Sequence, residues 1–305
     1  MRSIARLALV SSLLLTHSWG AATASAQQTP HQTRRPDAGG DLVQTTTRRE
    51  TRRFPYGGTI SLFGSPRGSV TVESWSRAEV EITAETELRA NSEEDLALLA
   101  RVTGFALDEE PNRLRIFTTG THDRRTLKRL APDFPRRLLD AQWKVDYLVR
   151  VPPQTDLEIY IGRGALRLGG VEGNIKLNAA ETDATLELSG GDVEAVIGRG
   201  KVNVRLASPS WRGRGASVNL ASGELTVELP AGLNADLRLS VLRTGRILDE
   251  ANRFVKKVTP DGRAFLFRFG AGGAVLAFTV GDGTLRIVER QATRRTSQNR
   301  SADLR

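Results

Sequence analysis

The chain of 305 residues contains no cysteine and only three histidines, and aromatic residues make up 6% of it. Without cysteine, neither disulfides nor zinc sites of the usual Cys/His type can form. Beyond the first 26 residues the histidines are His31 and His122, and no serine lies in a G-x-S-x-G segment, which argues against a Ser-His-Asp hydrolase. Stability must therefore come from a buried core, which a chain of this length can build.

The sequence also lacks an apolar run long enough to span a bilayer, which requires about 20 residues. The run from Leu7 to Leu15 follows Arg2 and Arg6 and precedes small residues that end in Ala24-Ser25-Ala26. This order is typical of a secretory signal peptide, residues 1–26. We expect cleavage after Ala26, export to the periplasm or the extracellular space, and no transmembrane segment in the mature chain.

The net charge of +9 is not a property of the predicted folded body. Residues 27–53 carry six arginines and three acidic residues, and residues 290–305 carry five arginines and one. The segment 54–289 has 31 basic and 31 acidic side chains. A nucleic-acid binder needs a basic domain face with aromatic residues nearby, so we expect no nucleic-acid partner. The basic tails are typical of solvated linkers, with weak binding to acidic glycans as the alternative.

Residues 54–289 alternate polar and apolar residues with a period of two, which predicts short β-strands. We predict one β-strand-repeat domain here, with 54–142 as its N-terminal part and 143–289 as its repeat part. Residues 27–53 are predicted to be a disordered basic linker, and 290–305 a disordered basic tail. One short helix is predicted in the N-terminal part, because "NSEEDLALLARVTGF" places Ser92 at the N-cap. The basic segment 122–137 is predicted to be a loop or a short broken helix.

The repeat part has turn residues at a spacing near nine. These are Gly164, Gly173, Asp183, Gly191 and Gly200, with spacings of 9, 10, 8 and 9. Such regularity without helices predicts an all-β, solenoid-like stack of short strands, with the segment before 143 at one end and residues 263–290 at the other.

The segment "IGRG" occurs at 161 and again at 197, 36 residues or four units later. If one coil uses two units, the copies lie on one edge, where Arg163 and Arg199 would begin an outward basic ladder. Arg167 and Lys201 lie beside them in the sequence, and these four residues, with Trp211 in the insertion "SPSWR", are the predicted surface contacts.

The order of these segments resembles a known family. It runs "GSVTVESWSRAEVEITAE", "VDYLVRVP", the glycine-led repeats, "LRTGRI" and "FGAGGAVLAFTVGDGTLRIVE". Over residues 54–289 this set is similar to the bacterial putative-adhesin family of β-strand repeats. The resemblance implies an exported or membrane-tethered protein with a right-handed β-solenoid-like fold, and it implies no catalytic residues.

Neither "IGRG" segment matches a phosphate-binding loop. Arg167 stands where G-x-G-x-x-G needs its third glycine, and Val202 stands where a P-loop has serine or threonine. Asp183 and Asp192 are the acidic residues nearest to the position that calcium-binding nonapeptide repeats require. We therefore expect no nucleotide, metal or other cofactor.

Two further kinds of site stay open. Asp156 and Glu158 point to one face of a strand, as the paired carboxylates of a polysaccharide hydrolase or lyase would. Trp75, Trp143 and Trp211 are candidates for stacking on sugars, although each is also suited to packing. The leading hypothesis is a non-enzymatic, exported, adhesin-like module that binds envelope components or acidic glycans. The alternatives are a carbohydrate-active β-helix enzyme and a self-assembling envelope scaffold.

Overall fold

The computed structural model describes residues 27–28, 32–34, 41–64, 66–251 and 263–290. The predicted signal peptide and the predicted tail beyond Arg290 lie outside the described residues. The strands are β1 (Gln27–Gln28), β2 (Gln32–Arg34), β3 (Leu42–Arg53), β4 (Thr59–Phe63), β5 (Val70–Ser74), β6 (Glu79–Ala90), β7 (Gly104–Glu110), β8 (Arg113–Thr119), β9 (Trp143–Val151), β10 (Asp156–Gly169), β11 (Ile175–Leu188), β12 (Gly190–Leu206), β13 (Arg212–Leu229), β14 (Ala235–Val241), β15 (Gly245–Asp249), β16 (Ala264–Phe269) and β17 (Val275–Glu289). The helices are α1 (Glu93–Val102), α2 (Arg124–Leu130) and a 3₁₀ turn (Arg136–Leu138). The all-β prediction is confirmed.

Residues 27–53 are predicted to be a disordered linker, and strand β3 corrects this prediction for residues 42–53. It pairs antiparallel with β6 along its full length, from Leu42 opposite Ala90 to Arg53 opposite Glu79. The Glu50 side chain is only 3% exposed and is ion-paired with both Arg48 and Arg52, so its buried charge is compensated. The composition suggested disorder because the segment is polar. Its threonines are nevertheless β-branched and favour strands, and β6 supplies the pairing partner.

Helix α1 forms where the sequence predicts it. The Ser92 hydroxyl accepts a hydrogen bond from the Asp95 N–H, and Leu96 and Leu99 are buried on one side. They pack with Leu138 in a small cluster separate from the main core. The predicted single helix is incomplete, because the basic segment 122–137 also contains α2 and the 3₁₀ turn, separated by its two X-Pro steps.

The repeat part pairs in parallel with a fixed register. Leu157 of β10 lies opposite Ile175 of β11, which lies opposite Val193 of β12, two steps of 18 residues. The next step, from Val193 to Ala216 of β13, is five residues longer and contains the insertion "SPSWR". An 18-residue register is what the nine-residue spacing predicts when two units make one step.

Each long strand bends once, at the position of "IGRG" in β10 and β12. Before the bend, β10 pairs with β4, and after it β10 pairs with β5. The apolar residues of both halves, such as Leu157 and Leu166, belong to one buried cluster. Glycines with positive φ stack at the bend because backbone of the neighbouring strand leaves no space for a Cβ. This glycine column consists of Gly68, Gly164, Gly200, Gly223, Gly283 and Gly245.

The C-terminal strand β17 does not lie at the end of the stack. It pairs in parallel with β13 on one side and with β14 and β15 on the other. Strand β16 then pairs antiparallel with β14. At the opposite end, β7 is antiparallel to β8, and β6 is antiparallel to β9. Antiparallel pairs therefore flank the parallel series at both ends.

Candidate functional site

The predicted basic ladder is wrong. The strand register places Arg163 opposite Glu181, and Glu181 opposite Arg199, so an acidic residue lies between the two arginines. The copies of "IGRG" are 36 residues apart, which is two steps of 18, so they lie on one edge as predicted but with β11 between them. Continuing across β13 and β17, Arg199 lies opposite Ser222, and Ser222 opposite Asp282. We call these five residues the corner row.

Charges in the corner row and beside it are largely compensated. Arg163 Nε is 3.1 Å from Glu181 Oε2, an exposed ion pair of the kind worth about 0–1 kcal/mol. The Lys201 N–H donates to Asp183 Oδ1 at 2.8 Å, so this aspartate binds backbone. Hydrogen bonds from Arg243 and Thr244 lower the pKa of Asp282 to about 2. The sign of the charge thus alternates from Arg163 to Arg199, whereas on its other side Arg163 lies opposite Arg67.

The other two predicted contact residues differ in their surroundings. Arg167 is exposed and lies between Thr71 and Thr185 of the neighbouring strands. Trp211 is half-buried against the main core, and its Nε1 donates to the Gly191 carbonyl oxygen at 3.1 Å. Trp211 therefore anchors the insertion while its side chain stays partly exposed, and its role as a surface contact stays a prediction. Trp143 likewise packs on the core, with its Nε1 bonded to Thr121.

The paired carboxylates bind neighbouring strands. Asp156 Oδ1 accepts the Asn174 N–H at 2.7 Å. Glu158 Oε2 accepts the Ser61 hydroxyl at 2.6 Å and lies 3.4 Å from Arg113 Nη1. Both line an open groove of about 710 Å³ on the outer side of β10 to β13. Their hydrogen bonds are those of side chains that hold strands together.

An aromatic row lies on the outer side of the same half of the sheet. Phe117, Phe63 and Tyr160 occupy paired positions of β8, β4 and β10, where the neighbouring residues of each strand point into the core. The ring centroids of Phe63 and Phe117 are 4.9 Å apart with planes 6° from parallel, and those of Phe63 and Tyr160 are 5.1 Å apart at 3°. All three rings are half-buried and lie outside the main core cluster.

The row ends in a groove, which we call the aromatic groove. It has a volume of about 550 Å³ and is lined by Tyr160, Asn178, Val196, Gly162 and Gly198 among others. Both "IGRG" copies thus contribute a glycine to it. Asn178 and Val196 follow Tyr160 in the strand register, and Val196 is 44% exposed. None of the described residues that line the groove is charged.

The aromatic row is not predictable from any one segment of the sequence. Each ring is the only aromatic residue on the outer side of its strand, so no single segment is conspicuous. Phe63, Phe117 and Tyr160 are far apart in the chain, and only the pairing of β8, β4 and β10 brings them together. The sequence does contain one indication of the row: each of the three aromatic residues occupies an outward position on a strand whose other outward residues are polar.

The remaining titratable groups have structural roles. Burial raises the pKa of Tyr147, whose hydroxyl is 2.7 Å from Thr118 Oγ1 in the core. Burial also lowers the pKa of His122, whose ring centroid is 5.3 Å from that of Trp143. Within the described ranges, no group of three acidic or histidine side chains could hold a metal ion. No helix in the described part of the chain has the length and apolarity needed to cross a membrane.

The sequence matches no family model and no curated protein. Among solved structures, it is similar to a putative cell adhesion protein from Clostridium sporogenes (15% identity, TM-score 0.41, 80% of this chain and 100% of that chain). It is also similar to a putative adhesin from Bacteroides fragilis (8%, 0.34, 79% and 97%) and to a putative lipid binding protein from Parabacteroides distasonis (11%, 0.21, 79% and 96%). These TM-scores are below 0.5, so no functional conclusion is carried over from the three proteins.

Proposed function

We propose that the chain is an exported, non-catalytic β-solenoid module that acts in the periplasm or outside the cell by binding an envelope component. Its parallel strands would coil in the right-handed sense, because parallel crossovers are right-handed in about 98% of cases. The 18-residue register supports this coil, since it is kept from β10 to β11 and again from β11 to β12.

The observation that carries the binding proposal is the aromatic row. Large apolar rings on the outer side of a sheet contribute little to the core, and half-exposed aromatic groups are frequent in recognition surfaces. The charged rows around them are compensated by ion pairs, such as Arg163 with Glu181 and Arg214 with Asp192. Contact would therefore be made chiefly by the uncharged part of the surface.

The enzyme alternative rests on Asp156 and Glu158. A general acid and base must be free to move a proton to or from the substrate. Here one oxygen of each carboxylate is held by a neighbouring strand, Asp156 Oδ1 by the Asn174 N–H and Glu158 Oε2 by the Ser61 hydroxyl. We therefore favour binding without turnover, and no cofactor.

The test is cosedimentation of the purified full-length protein with isolated bacterial envelopes, paired with assays for reducing ends released from acidic and neutral polysaccharides. We expect retention on the envelopes and no release. Asp156→Asn should retain binding, because it keeps an acceptor for the Asn174 N–H. Release of reducing ends that disappears in Asp156→Asn would overturn the proposal in favour of an enzyme. Failure to bind any envelope fraction would overturn it as well. Mass spectrometry of the exported chain tests cleavage after Ala26.

A further inference from the structure

We propose that the aromatic groove binds a neutral glycan, with one sugar ring stacked on the free face of Tyr160. This inference rests on the proposed binding function and names its ligand class. The acidic glycans considered from the sequence would instead need a cationic surface, which the corner row does not provide.

The stacking surface follows from ring geometry. The rings of Phe117, Phe63 and Tyr160 stack nearly parallel along the direction that crosses the strands, so each inner ring face is covered by the next ring. Tyr160 is the last ring on the side of β11, and the next residue of the row, Asn178, has a shorter side chain, so the outer part of the second Tyr160 face borders the groove. A flat apolar face that borders an open groove suits the C–H side of a sugar ring, as it suits other flat ligands.

Polar groups for the sugar hydroxyls lie beside that face. The Tyr160 hydroxyl and the Asn178 amide make no side-chain hydrogen bond to any described residue. Asn219 lies two strands beyond Asn178 in the row. Its Nδ2 donates to Ser217 Oγ, and its side-chain carbonyl oxygen is left to accept a hydrogen bond from a ligand. An amide provides both donors and an acceptor, which is what vicinal hydroxyls require. The row therefore offers one stacking face and several hydrogen-bonding groups.

The absence of charge decides the ligand class. The described lining of the aromatic groove has no charged side chain, whereas the neighbouring corner carries Arg163, Glu181, Arg199, Lys201 and Glu224. An anionic sugar would find no counter-charge in the aromatic groove and a cost for desolvation there. A neutral glycan would lose only the water bound to its hydroxyl groups, and hydrogen bonds to the asparagine amides would replace those made with water.

The row also has the length for a chain. From Tyr160 it continues through Asn178, Val196, Asn219 and Thr279 on successive strands. Four strand spacings of about 4.8 Å span roughly 19 Å. The floor beside the start of the row is low because Gly162 and Gly198 have no side chains, and a Cβ at either would meet neighbouring backbone, that of Pro66 or of Ala180. An extended oligosaccharide lying across the strands would fit this surface.

The experiment measures binding of the full-length protein to immobilised neutral oligosaccharides (gluco-, manno-, xylo- and chito-oligosaccharides) and to alginate, polygalacturonate and hyaluronan. We expect binding to at least one neutral series, with little change between low and high salt. Tyr160→Ala should weaken it by about tenfold or more, and Tyr160→Phe should weaken it less. Arg199→Ala, at the corner, is the matched control and should bind normally.

Val196→Glu supplies a second test that does not depend on the stability of the Tyr160 variants. Val196 is exposed, so the substitution should fold, and the longer side chain should occupy the space beside Tyr160 and block binding of the neutral series. Binding only to the acidic polymers, or binding that survives both Tyr160→Ala and Val196→Glu, would overturn the inference. Binding of apolar peptides in place of sugars would do the same. If envelopes are retained but no neutral glycan is bound, this inference fails while the proposed function stands.

Discussion

The glycine column at the bend explains why the long strands can turn, and Gly200→Ala tests that explanation. Gly200 has φ of +146°, and a Cβ placed there would lie 2.0 Å from the carbonyl oxygen of Thr182 on the neighbouring strand. A side chain in this backbone region costs about 1–3 kcal/mol. Displacing packed backbone adds about 1–3 kcal/mol. We expect Gly200→Ala to lower the free energy of unfolding by about 2–6 kcal/mol.

Gly104→Ala is the matched control. Gly104 has a similar φ of +156°, but a Cβ there would meet no atom within 4 Å. Only the conformational cost of about 1–3 kcal/mol applies to it. Urea unfolding monitored by circular dichroism gives the free energy of unfolding of both variants, provided that the dependence of this free energy on urea concentration has the same slope in each. Equal losses in the two variants would refute the argument that contact between neighbouring strands selects glycine at the bend.

Three further predictions concern the contacts of Thr182, the contacts of Asp282 and the ends of the strand series. Thr182 is 2% exposed, and its hydroxyl has no hydrogen-bond partner among the described residues, so Thr182→Val should raise the free energy of unfolding by about 1 kcal/mol in urea; a loss would contradict this. The pKa of Asp282 is lowered from 3.8 to about 2, so its stabilisation is complete above pH 3.8 and disappears toward pH 2. Asp282→Asn should therefore lower the urea midpoint at neutral pH, and its difference from the unchanged protein should vanish near pH 2; a constant difference would argue against the Arg243 and Thr244 contacts. Antiparallel pairs flank most of the parallel series, although β15 pairs only with β17 among the described strands, so the protein should sediment as a monomer, and growth with concentration would favour the scaffold hypothesis.

The 18-residue step could be predicted because it is a local property of the sequence. Turn residues recur every nine positions, and two such units with alternating apolar residues return the chain to the same side of the core. Similarly, Ser92 and the acidic residues after it identify α1 without knowledge of the rest of the chain. These features depend on neighbours within a few residues.

The residues of the corner row could not be predicted by comparing the two "IGRG" segments. Strand β11 lies between the two "IGRG" copies and has Glu181 and Thr182 at the positions of the arginine and the second glycine. The same bend is therefore formed by different residues. Strand β3 and the aromatic row escaped prediction for a related reason. Each depends on strands distant in the chain, which supply partners that the local pattern does not contain.

The register also explains why charged positions vary while apolar ones repeat. In a parallel, in-register stack, equivalent side chains are about 4.8 Å apart, so identical charges at one position would repel across every step. Glu181 between Arg163 and Arg199 avoids this repulsion. Aromatic side chains have no such restriction and gain from stacking, which allows Phe117, Phe63 and Tyr160 to follow one another. A continuous outer row of similar side chains in this fold is therefore expected to be uncharged, and an uncharged ligand is the one that such a row can contact along its length.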